Sequence, residues 1–246
     1  MFHTFFYEPL YNLIVVVLTI IPLHDIGAAI VIVTFLVKLL LLPLNLSALR
    51  SQYIMKRLEP EMNKIKELQK TKPQEASKKM VELYKNEKVN PFASIFAILI
   101  QIPVFIALYF VFSKGLHTDQ ESLYSFVTFP DILHTEAFGL FDVTQKNIFV
   151  AVLAGFSSYI LARRQTATMV VKKEPHEESF QDHFMKSMKI QLLYVLPIII
   201  TFSGSVLPSA LALYWFVSNI INYAQDVYMK DKLAHLHPDR HKNKLA

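Results

Sequence analysis

Apolar residues gather into five runs, at 26–46, 92–112, 148–162, 190–203 and 207–225, separated by stretches crowded with charge. About 20 apolar residues in a helix match the ~30 Å hydrocarbon core of a bilayer. The pattern therefore predicts an all-α polytopic membrane protein with five core transmembrane helices. The runs 148–162 and 190–203 are short by that measure, which leaves their boundaries soft. Ahead of them, residues 1–25 hold one continuous apolar stretch, Leu13–Ile21, with Glu8, Pro9 and Asn12 interrupting what precedes it. That predicts an amphipathic helix lying in the membrane interface, with a sixth span as the alternative. No Lys or Arg precedes the stretch and no small-residue cleavage site follows, so it does not read as a signal peptide.

A different period governs residues 47–91. Ile54, Leu58, Met62, Ile65 and Leu68 recur every three or four residues, as do Met80, Leu83 and Tyr84. Thr71-Lys72-Pro73 interrupts them, because proline disfavours helix at the residue before it. The expectation is a helical hairpin with charge on its outer faces; a solvated connector is the bland alternative.

Composition narrows the class. At 53% hydrophobic and 18% charged, the chain lacks the polar surface a soluble protein needs. It has no cysteine, which removes disulfides, thiolate metal sites and a cysteine nucleophile. Charge then orients the spans. Residues 47–90 carry eleven Lys/Arg, 163–189 carry six, and the tail after Asp226 carries five. Residues 113–147 carry only Lys114 and Lys146 against five acids, and the expected turn Gly204–Val206 has no charge. The positive-inside rule places the amino terminus outside, 113–147 as an external loop, and the hairpin, the loop 163–189 and the basic tail 226–246 in the cytoplasm.

Lys38 stands out within the first run, about 12 Å along the axis from its cytoplasmic end. A charge near mid-membrane costs roughly 2.5–3.5 kcal/mol, and no span contains an Asp or Glu to pair with it. A water-filled cavity is the expected answer. Thr34 and Asn45 fall on the same helical face as Lys38. Ser94 and Gln101 share a face of the second span, Ser157 and Ser158 mark the third, and Tyr214, Ser218 and Asn222 step along the fifth. For the serines, hydrogen bonding between helices is the competing reading. Pro43, Pro103, Pro197 and Pro208 lie in or at the ends of spans, where they free carbonyls and kink helices.

Specific stretches resemble a known family. TFLVKLLLLPL, MKRLEPEMNKIKE and ELYKNEKVNPFASIFAILIQIPVFIALYFVF are similar to the first half of the YidC insertase core, and PSALALYWFVSNIINYAQDVYM to its last span. The likeness runs from about Tyr7 to Met229 in the family's order. It implies five helices around a hydrophilic groove closed to the outside but open to cytoplasm and lipid, and a mobile cytoplasmic hairpin. Lys38 takes the position of the family's groove cation, most often arginine; Thr34, Tyr214 and Trp215 match other groove positions. With Gln101, Ser157 and Ser218 these form the expected substrate groove. Lysine is a point charge rather than a planar fork, so bidentate capture of a carboxylate is less favoured. The family's glutamine near the end of the third span is Ala162 here. The chain resembles the minimal form, without a large external domain.

The expected function is that of a membrane insertase and chaperone in the bacterial inner membrane, not an enzyme, with no cofactor and no metal. Its expected partners are nascent membrane proteins, the lipid bilayer, a weakly held ribosome and a Sec-type translocon, with no specific nucleic acid sequence. The rival is a small-solute transporter or channel with Lys38 as an anion site. An intramembrane hydrolase is disfavoured, since no span contains His and Gly204-Ser205 is expected in an external turn.

Overall fold

The computed structural model describes residues 1–21, 24–69, 71–90, 92–116, 119–130, 133–167 and 186–236. Much of the loop expected at 163–189 and the end of the basic tail lie outside the described residues, as does the side chain of Ser94. Apolar runs become helices because hydrocarbon offers no water to backbone N–H and C=O groups, which a helix satisfies internally. In chain order these are α1 (His3–Ile20, opening with a π-helical turn), α2 (Ile26–Leu40), α3 (Leu42–Arg57), α4 (Glu59–Gln69), α5 (Pro73–Asn86) and α6 (Ala93–Lys114). A small antiparallel pair, β1 (Glu136–Ala137) and β2 (Phe141–Asp142), leads into α7 (Ile148–Thr166). Then come α8 (Lys186–Val206, with a π-helical turn at Gln191–Val195 before Pro197) and α9 (Ser209–Leu236).

One core joins α1, α2, α6 and α9, with Tyr11, Ile14, Leu18, Ile30, Val111 and Leu211 almost wholly buried. Helices α7 and α8 pack closely: a Cβ at Gly155 would collide with the Thr201 hydroxyl and press on the Pro197 carbonyl. Outward, Phe35, Leu40, Phe149, Phe156, Ile198 and Phe202 are exposed. A large bare apolar surface marks contact with another apolar phase, here lipid.

Two features depart from the sequence expectations, and a third bears on an alternative left open there. The first run is not one helix: α2 stops at Leu40, and α3 leaves at 63° to it. Pro43 lacks the N–H an uninterrupted helix needs there, and it sits in the first turn of α3, where the loss costs nothing. Asn45 therefore lies beyond the bend rather than on one face with Lys38. Second, Gly204–Val206 is not a turn; those residues end α8, and Gly204 is buried between Ala151 and Ala212. The glycine is there for close helix packing, and the reversal falls at Leu207-Pro208. Third, α1 is long and apolar enough to cross a bilayer. Its contacts favour another placement. Tyr7 donates to Asp119 (2.8 Å), Asn12 bonds Ser122 and Tyr124, and His24, just past the other end, bonds the Leu18 carbonyl beside the start of α2. A crossing helix would separate Tyr7 from Ile20 by about 20 Å along the membrane normal. Here both ends of α1 meet the end of the bundle that carries residues 113–147.

At the opposite end, α4 and α5 lie against each other, joined through a short connection. Their base docks on α3 through a small cluster of Ile54, Leu58, Val89 and Leu83, an Arg57–Glu87 ion pair (3.0 Å) and an Arg50 bond to the Lys88 carbonyl.

Candidate functional site

Lys38 is 3% exposed, so its ammonium is taken out of both water and lipid. Its Nζ donates to the Gln101 side-chain oxygen on α6 (3.0 Å), and the Gln101 amide is in turn hydrogen-bonded to the Tyr214 hydroxyl on α9. Three helices thus meet in one polar chain inside an apolar bundle. In place of a water-filled cavity at Lys38, the structure has this amide. The nearby cavity, lined by Thr34, Val37, Leu108 and Tyr214 and roofed by Leu10 and Ile14 of α1, has a volume of about 10 Å³. That is room for about one water. Thr34 spends its hydroxyl on the Ile30 carbonyl of its own helix (2.6 Å).

The other expected site residues divide. Trp215 stacks on Phe105 of α6, ring centroids 4.5 Å apart, which closes the α6–α9 seam next to Tyr214. Ser218 is buried one turn further along α9. Ser157 belongs to a separate cluster, in which Asn219 of α9 donates to Ser157 (3.0 Å) and Ser158 (2.6 Å). These serines link α7 to α9, the interhelical reading given above, and do not reach Lys38. Asn219 was not singled out in sequence because it falls about 100° around the helix from Ser218.

A second unanticipated residue is Asp226, 1% exposed on α9. It accepts from Tyr53 of α3 (2.9 Å) and pairs with Arg164 of α7, whose guanidinium also lies 5.1 Å from the Tyr223 ring. Burial, and then Asp226 beside it, pushes the Tyr53 hydroxyl well above its ordinary pKa, so Tyr53 stays a donor. A signal existed: Asp226 is the first charged residue on α9, after an uncharged stretch from Ser209 to Gln225, and a buried acid needs a cation.

Chemically, the Lys38 centre offers a fixed positive charge whose acceptor is neutral. A carboxylate is a stronger acceptor for an ammonium than an amide is. Among the described residues, no cluster of His, Asp or Glu could hold a metal ion.

Comparison with known proteins agrees in direction. Residues 14–236 match the family model described as 60Kd inner membrane protein. Curated relatives include the membrane protein insertase YidC of Francisella tularensis subsp. novicida, subsp. holarctica and subsp. mediasiatica, each 32% identical over 201 residues. The alignment covers 81% of this chain and 31% of each relative, so the chain spans under a third of their length. With a single family model matched along nearly the whole helical bundle, this chain belongs to the 60Kd inner membrane protein family, that of the YidC insertases.

Proposed function

We propose that this chain inserts nascent membrane proteins into the bilayer, acting as insertase and chaperone through a hydrophilic groove centred on Lys38. The observation that carries the reading is a buried ammonium whose hydrogen-bond partner, among the described residues, is a neutral amide, Gln101, at the meeting of α2, α6 and α9. At an effective dielectric of 20, an ammonium and a carboxylate in contact attract by about 4 kcal/mol. A hydrogen bond from a charged group to a neutral acceptor contributes about 1.5–3 kcal/mol. The Coulomb figure stands before the carboxylate's desolvation is subtracted, so an acidic residue in an arriving chain competes with Gln101 on nearly even terms and is held reversibly.

The packed state described above is the resting one. Opening requires α6 and α9 to part at the Phe105–Trp215 seam, which exposes Lys38 to the hairpin end and to lipid. In this reading the α4–α5 hairpin faces the cytoplasm and receives the chain from a weakly attached ribosome or a Sec-type translocon. The polar flank of the substrate moves along the groove while its apolar helix leaves sideways, and burial of that helix in lipid drives the process. Helix α1 lies in the outer interface and roofs the groove. Five spans, α2 with the start of α3, then α6, α7, α8 and α9, give an external amino terminus and a cytoplasmic carboxyl terminus, as loop charge indicates.

The test is insertion into liposomes by purified protein, using a substrate whose external segment is acidic. Lys38→Ala lowers the insertion rate about tenfold, equivalent to ~1.4 kcal/mol, while Lys38→Arg stays close to the parent. Undiminished insertion by Lys38→Ala removes the electrostatic role.

A further inference from the structure

The turn between β1 and β2 plays no part in the insertion reading, yet it is built with care. Leu140 N–H closes on the Ala137 carbonyl (2.9 Å), and both intervening residues have positive φ, +54° at Phe138 and +67° at Gly139. Such turns favour Asn-Gly, and a bulky aromatic at positive φ is a genuine outlier. The strain displays apolar surface: Phe138 is 53% exposed and Leu140 80%, and a Cβ on Gly139 would meet open space. The base of the turn is fixed to the bundle. Phe138 N–H donates to Asp25 (2.6 Å), the capping residue of α2, and Ala137 presses so closely on Gly27 that a Cβ there would collide with it. Ser209 and Ala210, at the start of α9, donate to the carbonyls of Asp142, the last residue of β2, and of Val143 just behind it.

Height decides what meets the tip. Asp25 marks where the apolar helix α2 begins, so the tip is held at the level where hydrocarbon gives way to headgroups. Ile148 and Phe149, at the start of α7 a few residues past β2, are exposed as well. Aromatic and aliphatic side chains held at this level partition into the headgroup–acyl boundary. We propose that Phe138 and Leu140 form a lipid-interface anchor, a fixed wedge dipping into the leaflet at the end of the bundle where α2 and α9 begin. Which leaflet that is follows from the orientation proposed above; the insertion of the tip into lipid does not.

The chain has no cysteine, so single labels are clean. Leu140→Cys carries a nitroxide in vesicles of phosphatidylethanolamine and phosphatidylglycerol, with Val81→Cys on α5 as aqueous reference and Phe156→Cys on α7 as lipid reference. All three positions are exposed, so the fold tolerates the labels. The expected result is an oxygen-to-nickel-chelate accessibility ratio at Leu140 several-fold above Val81 and approaching Phe156. A ratio equal to that at Val81 means the tip stands in water. Low accessibility to both reagents means protein covers it. Either outcome overturns the anchor, and neither bears on Lys38.

Discussion

Lys38 and Asp226 are both buried charges on apolar helices, and the protein treats them in opposite ways. Asp226 has a cation and a phenol at hand, Arg164 and Tyr53, each from a different helix. Among the described residues, Lys38 has one amide. Removing one member of a buried ion pair leaves the other uncompensated and costs about 3–5 kcal/mol, with Arg164 being a quarter exposed arguing for the lower end. Asp226→Ala is therefore expected to lower the thermal midpoint in detergent clearly. Lys38→Ala removes a desolvated charge and leaves only a neutral amide behind, so its midpoint stays level or rises. A drop in both variants alike contradicts this division of roles. The sequence makes Lys38 conspicuous because a single charge interrupts TFLVKLLLLPL; it cannot say that Gln101, 63 positions away, is the partner, since that depends on how α2 and α6 rotate about their axes. Asp226 hides because it follows the apolar run and looks like the start of a polar tail.

Among the elements, apolar length foretold where helices lie but not where they end. Helix α7 continues to Thr166 and α9 to Leu236, since a helix needs its own hydrogen bonds and not lipid to persist. The break at Leu40 was legible in Pro43, whereas the burial of Gly204 was not, because one glycine serves a turn and a tight helix contact equally well. The α4–α5 pair is an element whose removal is informative. Leu58 and Leu83 already share one cluster, so a short glycine linker can replace Pro60–Glu82 and leave the docked base intact. The shortened protein is expected to enter membranes with normal stability and to lose most insertion activity. Insertion at the parent rate reduces the pair to a connector.

At the scale of the whole molecule, the bundle is asymmetric from end to end. One end is roofed by α1 and strapped by the described residues between 113 and 147, which tie into α1, α2 and α9 through hydrogen bonds. The other end carries the α4–α5 pair and the Asp226 cluster. Between them lies Lys38, buried in packing whose nearby cavity, against Thr34 and Tyr214, has a volume of only about 10 Å³. In the proposed function this bundle opens from the hairpin end and stays shut at the other. Photocrosslinking tests the central claim most directly, with probes placed in turn at Lys38 and Trp215 and a ribosome-stalled membrane protein as substrate. The account predicts adducts to the hydrophobic segment and its acidic flank, appearing only once that segment has left the ribosome. Absence of adducts at both positions, with the substrate still inserted, contradicts it.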